Sequence, residues 1–136
     1  MVASPESLRE YRFLGHAYLT AHDYTRALEI AESGLALAPD DAVLMAVRGE
    51  AKAGLGDAEG ALSDWGRALE LDPEDIGALY SSAFLLERED RLEESAAAWQ
   101  AIIDWNQARS QTLETEWPKQ ELARLQAELA ARTGEQ

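Results

Sequence analysis

The 136-residue chain contains no cysteine. Disulfide frameworks, thiolate metal sites and cysteine nucleophiles are therefore excluded. Histidine is almost as scarce, since only His16 and His22 occur, and their spacing does not place both on the one helical face that a metal pair needs. We expect neither a metal site nor a cofactor.

Basic residues are few: the chain has 12 lysines and arginines against 26 aspartates and glutamates, a net charge of -14. This excess repels phosphate backbones and anionic lipids, so neither nucleic acid nor a membrane is an expected partner. A protein or peptide that is apolar or basic in part is favoured, although solubility alone is the simpler interpretation of the charge.

Long apolar runs are also missing. No stretch approaches the ~20 residues of a membrane span, and the charged N-terminal residues lack the apolar core of a signal peptide. The expected location is the cytoplasm. With only four prolines, nine glycines and 46% hydrophobic residues, the composition favours packed helices, and we expect an all-α protein.

The chain repeats itself with a period of 34 residues. A fixed period of this size indicates a solenoid of helix-turn-helix units, none of which can bury its apolar face alone. The pairs that share this shift are Gly15 and Gly49, Ala17 and Ala51, Ala27 and Ala61, Leu37 and Leu71, and Pro39 and Pro73.

These residues resemble the tetratricopeptide repeat, whose pattern is a large residue, Leu-Gly, Tyr, and later Ala, an aromatic and Pro. The first copy has Tyr11, Leu14, Gly15, Tyr18, Ala27 and Pro39; the second has Gly49, Ala61, Trp65 and Pro73; the third keeps Leu79, Ala83, Leu86 and Trp99. The resemblance implies an all-α, right-handed superhelical solenoid forming a single domain over residues 1–136. Its repeats are expected at about 8–41, 42–75 and 76–109.

Capping residues predict several helix ends. Asp23 and Asp57 should begin the second helix of their repeats, and Ser4, followed by Pro5, should begin the first helix of the chain. The acidic joints 40–41 and 72–75 lack the ligand pattern of a calcium loop and are interpreted as solvated turns.

A C-terminal helix is expected from about 115 to 132. Leu122, Leu125 and Leu129 would form its apolar face. A terminal repeat needs a cover of this kind, so we interpret the helix as a cap; docking to another protein or dimerisation is the alternative.

The register and the resemblance together predict a ligand groove on the first helix of each repeat. Its residues are Arg9, Arg12, His16, Leu19, Val43, Ala46, Glu50, Tyr80, Phe84 and Glu87. Two interpretations of Tyr80 and Phe84 remain open: they form an exposed contact site, or they pack against the C-terminal helix as core.

Relatives that hold the C-terminal carboxylate of heat-shock chaperones share a lysine and asparagine on the first repeat, an asparagine on the second, and a lysine and arginine on the third. The corresponding residues here are Arg12, His16, Val47, Gly77 and Ser81. Only the first pair retains a similar character. A carboxylate clamp of that kind is not expected.

Arg48 and Lys52 depart from the repeat pattern, since they stand where leucine and tyrosine are usual. Two cations one helical turn apart on a packing face repel each other. Either their long stems carry the charges to the edge of the packing face, or the cations pair with Glu50, Asp64 or an acidic group of a partner.

No residues with the spacing of a catalytic constellation occur, so we expect no enzymatic activity. The resemblance implies a protein-protein interaction adaptor or scaffold that binds a peptide or helix in the groove. The alternative is a self-assembly module that forms homo-oligomers through the groove or the C-terminal helix.

Overall fold

The structure is a computed structural model that describes residues 7–109 and 116–134. Within these ranges the regular elements are all helical, which confirms the expected all-α class. The helices are α1 (Leu8–Thr20), α2 (Tyr24–Leu37), α3 (Ala42–Gly54), α4 (Ala58–Leu71), α5 (Ile76–Arg88), α6 (Leu92–Ala108) and α7 (Glu116–Thr133). The chain divides into two compact units, Met1–Pro73 with α1 to α4 and Glu74–Gln136 with α5 to α7.

The turn inside each helix pair repeats the same backbone conformation. His22, Gly56 and Asp90 have φ angles of 57°, 90° and 61°, and they follow one another at the 34-residue period. Left-handed backbone of this kind reverses the chain in a few residues and suits glycine, with histidine and aspartate among the better-tolerated side chains. The repeat is therefore visible in backbone geometry as well as in sequence.

Side-chain caps begin most of the helices. Asp23 and Asp57 accept hydrogen bonds from the backbone N–H groups of Arg26 and Gly60, as predicted. Asp41 and Asp75 cap α3 and α5 in the same way. The interpretation of the acidic joints as solvated turns was wrong for Asp41, which is buried and satisfies an amide donor that the first turn of a helix leaves free.

The first helix begins at Leu8 and is capped by Ser7. The predicted cap at Ser4 lies outside the described residues. Thr115, the predicted start of the last helix, also lies outside them, and α7 begins in the structure at Glu116.

Glycines bring the two repeats of the first unit together. A Cβ atom on Gly15 would come within 2.9 Å of a Val47 methyl group, and one on Gly34 within 2.5 Å of a Leu44 methyl group. Leu44 and Val47 belong to α3 and are almost fully buried. The small residues of the first repeat therefore serve to receive the first helix of the second repeat, a close approach that larger side chains would prevent.

Arg48 and Lys52 are both paired with the buried carboxylate of Asp64. Arg48 donates two hydrogen bonds to it, at 2.9 and 2.7 Å, and the Lys52 ammonium lies 3.1 Å from Oδ2. This contact also raises the pKa of the Arg48 guanidinium. Of the two interpretations, the ion-pair network with Asp64 is the one that the structure shows. The equivalent positions of the first repeat carry Leu14, Tyr18 and Ile30, none of which is charged.

The core of the second unit is shared between the third repeat and α7. Leu122 and Leu125 of α7 belong to the same buried cluster as Ala83, Trp99 and Ile102, and Leu129 packs against it. The cluster is completed by Leu92 and Ile103. The C-terminal helix thus covers the apolar face of the third repeat, as a capping helix does.

One polar side chain inside this core, that of Ser95, forms a hydrogen bond to the backbone of the neighbouring helix. Ser95 stands at the position of Ala27 and Ala61 and is fully buried. Its hydroxyl donates a hydrogen bond of 2.8 Å to the backbone carbonyl of Ala83. The serine therefore remains small enough for α5 and α6 to approach without leaving an unpaired polar atom.

Candidate functional site

Four aromatic rings meet on the second unit and form what we call the aromatic surface. Its members are Tyr80, Phe84, Trp99 and Trp117. Trp99 meets each of the other three rings edge to face, at centroid distances of 5.7, 5.3 and 5.2 Å. Tyr80 stacks on Trp117 with 5.9 Å between centroids and 12° between planes. These distances and angles are the preferred ones for aromatic pairs.

The aromatic surface combines a buried floor with exposed edges. Trp99 is fully buried on α6, whereas Phe84 and Trp117 remain 48% and 47% exposed. The Trp99 indole N–H is buried and has no hydrogen-bond partner among residues 7–109 and 116–134. Exposed aromatic rings that lie side by side are a typical feature of contact sites.

Tyr80 and Phe84 were interpreted either as an exposed contact site or as core against the C-terminal helix, and the structure shows features of both. Tyr80 is half-buried and packs on Trp117 of α7, in keeping with the interpretation as core. Phe84 also touches Trp117, with 5.9 Å between ring centroids, but nearly half of it stays exposed. The C-terminal helix therefore extends the aromatic pair of α5 into a larger surface and leaves part of it accessible.

The charges beside the aromatic surface are paired. Arg124 of α7 lies 2.6 Å from Glu87 and 2.7 Å from Glu121, and its hydrogen bonds with Glu121 and Glu87 raise the pKa of the guanidinium. A weaker contact of 3.7 Å joins Lys119 to Glu116. Glu87, a predicted groove residue, thus holds α7 in place, and with Glu128, 3.8 Å from Arg124, four carboxylates lie near two cations.

In the first unit, Arg12 is bound to the buried carboxylate of Asp41. The guanidinium donates through both Nε and Nη2, and the Nε to Oδ2 distance is 3.0 Å. Burial alone would raise the pKa of Asp41, but hydrogen bonds from Arg12 and from the backbone N–H of Leu44, together with the Arg12 charge, outweigh it and lower that pKa below its ordinary value. Arg12 is therefore neutralised by a residue of its own chain.

An open pocket of about 480 Å³ lies beside this ion pair. Its lining residues are Arg12, Ala38, Pro39, Asp40, Asp41, Ala42 and Val43. Val43, a predicted groove residue, is 38% exposed at its edge. The pocket offers a small apolar wall next to a neutral ion pair.

The other predicted groove residues of the first unit differ in accessibility. Arg9 and His16 are exposed on α1, and Leu19, Ala46 and Glu50 are half-buried. Two of the carboxylate-clamp positions in this unit are unsuited to binding a carboxylate: Val47 is buried beneath the first repeat, and Arg12 already holds Asp41.

Sequence reasoning missed Trp117 and the role of Asp41. Trp117 lies just before Pro118 at the start of α7. The position of an aromatic residue beside a helix start does not indicate which other helix its ring will contact. Asp41 ends an acidic joint, and its position directly before the apolar run 42–47 was the available sign of a helix cap.

Metal sites and membrane spans lack their usual features in the described part of the chain. Residues 7–109 and 116–134 hold no cluster of three or more histidine, cysteine, aspartate or glutamate side chains that could bind a metal ion. None of the helices in the same ranges is long and apolar enough to cross a membrane.

Comparison with solved structures identifies the fold. The first tetratricopeptide-repeat domain of Spaghetti (RPAP3), solved with the HSP90 peptide SRMEEVD, has a TM-score of 0.76 at 19% identity, over 94% of this chain and 99% of that one. The TPR2B domain of yeast Sti1 in its pHsp70 complex has a TM-score of 0.78 at 21% identity, over 89% and 97%.

A third similar structure comes from a bacterial chaperone. The type III secretion chaperone SycD of Yersinia enterocolitica, in complex with a peptide of the translocator YopD, has a TM-score of 0.77 at 15% identity, over 92% and 96%. No protein-family model matches the sequence, and no curated protein matches it significantly.

These matches, with the helix pairs described above, define a helical-repeat protein. More narrowly, its repeats have the tetratricopeptide-repeat fold, which confirms the resemblance seen in the sequence.

Proposed function

We propose that the protein is an adaptor that binds a peptide or a helix of another protein through the aromatic surface of its second unit. The observation that carries the proposal is the pair of half-exposed rings, Phe84 and Trp117, on the buried Trp99. Rigid aromatic residues at a surface bury a large area on binding at little cost in conformational entropy. A ligand would place an apolar or aromatic side chain against these two rings.

The negative charge of the protein favours a ligand with basic residues. The net charge of -14 and the carboxylates of Glu87, Glu116 and Glu121 beside the rings favour a ligand that is basic near its apolar anchor. An acidic ligand would have to displace Arg124 from two carboxylates. Neither nucleic acid nor an anionic membrane fits such a surface.

The remaining predicted groove residues form a second candidate face, on the first unit. Its apolar part is Val43, Ala46 and Leu19, and its polar groups are Arg9, His16 and Glu50. In this proposal Arg12 supports the face through Asp41, because binding an external carboxylate would cost the internal pair.

The similar solved structures support the proposal that the ligand is a peptide. Two are named for bound chaperone peptides and one for a bound translocator peptide. The proposal makes the protein a non-enzymatic scaffold in the cytoplasm. Self-assembly through α7 is left out of it, because Leu122 and Leu125 are buried within their own chain.

Peptide selection tests the proposal without a known partner. Random peptides displayed on phage are selected on the intact protein, and their affinities are measured for Phe84→Ala and Trp117→Ala. Selected peptides should carry an apolar or aromatic residue next to lysine or arginine, and each variant should weaken binding by at least about tenfold.

Leu55→Ala is the matched control, since Leu55 is an apolar residue of the first unit with 49% exposure. It should leave the affinities unchanged, and unfolding curves check that all three variants fold. Peptides that bind Phe84→Ala and Trp117→Ala as tightly as the intact protein would refute the aromatic surface as the site.

A further inference from the structure

Trp105 of α6 shows how this chain holds an arginine of its own. The guanidinium of Arg109 lies over the indole ring of Trp105, 4.1 Å from the ring centroid, and pairs with the carboxylate of Glu74. A planar guanidinium can stack on a ring with its flat face while its N–H groups donate to a carboxylate at its edge. Tryptophan and glutamate side chains also lie close together at the aromatic surface.

Two stripes of side chains, one on α5 and one on α7, carry the aromatic surface and the carboxylates beside it. Tyr80, Phe84 and Glu87 recur at intervals of four and three residues, which places them on one side of α5. Trp117 and Glu121 lie four residues apart on α7 in the same way. Because Trp117 contacts both Tyr80 and Phe84, the two stripes lie side by side, and each continues from ring to carboxylate within about one helical turn.

Arg124 binds both carboxylates and leaves part of each accessible. It donates to Oε1 of Glu87 and to Oε2 of Glu121. The side chains of Glu87 and Glu121 remain 28% and 22% exposed, and a carboxylate accepts hydrogen bonds on both of its oxygens. Arg124 follows Glu121 on α7 whereas Trp117 precedes it, so the arginine and the ring flank this carboxylate along the helix. A cation that lies over the rings therefore approaches the carboxylates from the side opposite to Arg124.

The charged groups along this side of α7 carry a negative excess. Arg124 and Arg132 pair with four carboxylates, those of Glu87, Glu121, Glu128 and Asp90. Two arginines do not balance the charge of four carboxylates. The excess favours a positively charged group at the exposed rings and disfavours an acidic one.

We infer that the ligand of the aromatic surface presents an arginine, whose guanidinium stacks on the exposed part of Trp117 and donates hydrogen bonds to Glu87 and Glu121. The inference rests on the proposed function and names the residue that the ligand carries beside its apolar anchor, which packs on the half-exposed Phe84. Arginine fits better than lysine, because an ammonium group is more strongly hydrated and can neither stack as a plane nor donate as a fork.

The sequence preference of selected peptides tests the role of the two carboxylates. Random peptides are displayed on phage from a library in which arginine and lysine are equally frequent. They are selected in parallel on the intact protein and on a Glu87→Gln, Glu121→Gln double variant. Peptides selected on the intact protein should carry arginine beside the apolar anchor at least about three times as often as lysine, and this preference should disappear on the double variant.

A second double variant, Glu29→Gln with Glu32→Gln, is the matched control. Both residues are exposed on α2 of the first unit, and their replacement removes the same net charge. This variant should retain the arginine preference, and unfolding curves check that both double variants fold. A preference that both variants lose equally would show that net charge alone selects arginine, and would overturn the inference.

Synthetic peptides test the guanidinium directly on the intact protein. The tightest-binding selected peptide is made with its arginine unchanged, as lysine, and as citrulline, which keeps the planar shape of arginine but carries no charge. Citrulline should weaken binding at least about tenfold and lysine at least about threefold. Equal affinities of the three peptides would overturn the inference, while their dependence on Phe84 and Trp117 would still support the adaptor; a selection that enriches no peptide would overturn both.

Discussion

At the residue scale, the turn inside each helix pair has one residue with left-handed backbone, and the conformational energy of that residue depends on whether it is glycine. Gly56 occupies it without strain, and a Cβ atom there would meet no other atom within 4 Å. His22 and Asp90 adopt similar φ angles with a side chain present. The cost at this position is thus one of backbone conformation rather than of packing.

Replacing this glycine isolates that cost. We expect Gly56→Ala to lower the free energy of unfolding by about 1 kcal/mol, because alanine disfavours left-handed backbone. Gly66→Ala is the control: Gly66 lies inside α4, also with no atom within 4 Å of the added Cβ, and there alanine should stabilise by about 0.5 to 1 kcal/mol. Urea unfolding measures both, and equal shifts of the two variants would disprove the conformational explanation.

Asp41 links stability to pH. Because its pKa is lowered in the folded state, it contributes stability above the ordinary carboxyl pKa, and this contribution is lost as the pH falls through the folded value. We expect Asp41→Asn to destabilise by about 1 kcal/mol at neutral pH, with the difference from the intact protein shrinking below about pH 4.

Asp40→Asn is the control variant for the pH dependence of the Asp41→Asn stability. Asp40 is an exposed carboxylate, 3.4 Å from Arg67, and its replacement should change little at any pH. Urea unfolding between neutral and acidic pH measures both variants. A constant difference between the Asp41→Asn variant and the intact protein across that range would show that the Asp41 charge is not responsible.

At the element scale, the packing of α3 on α4 depends on one carboxylate between two cations. Asp64 is 5% exposed, and the side chains of Arg48 and Lys52 are 27% and 24% exposed. Removing the carboxylate alone leaves two partly buried cations facing each other without the group that both contact. We expect Asp64→Ala to destabilise by about 3 kcal/mol in urea unfolding.

The first repeat indicates a triple variant that should restore the stability lost in Asp64→Ala. Changing Arg48→Leu, Lys52→Tyr and Asp64→Ile together installs the residues found at the equivalent positions of that repeat. An apolar replacement of an entire buried ion network is often neutral or stabilising, so the triple variant should recover at least the intact stability. A triple variant as unstable as Asp64→Ala would mean that the ion network itself specifies this packing.

The helix pairs could be predicted from sequence because local signals agreed with one another. Gly15, Gly49 and Ala83 mark close approaches at a fixed period, and Asp23 and Asp57 carry the hydrogen-bonding groups that begin a helix. Asp41 was misjudged, since composition alone does not reveal whether an acidic joint faces water or a neighbouring guanidinium. The partner of Arg48 was one of several candidates until the fold brought α3 and α4 together.

At the scale of the whole molecule, the candidate site was only partly foreseeable. The register placed Tyr80 and Phe84 on one face of a helix, because a helical period fixes which residues lie side by side. It could not place Trp117, which reaches the same surface from a helix separated from α6 by residues outside the described ranges. Contacts between distant segments depend on tertiary packing, for which a single sequence offers no periodic signal.

The central claim, that the aromatic surface binds the ligand, has a direct test in the indole N–H signals of the chain's four tryptophans. A selected peptide is titrated into isotope-labelled protein, and the four signals are followed by nuclear magnetic resonance. The account predicts that the Trp117 and Trp99 signals shift with the peptide concentration, while that of Trp65, buried in the first unit, does not. A bound peptide that leaves Trp117 and Trp99 unchanged would contradict it.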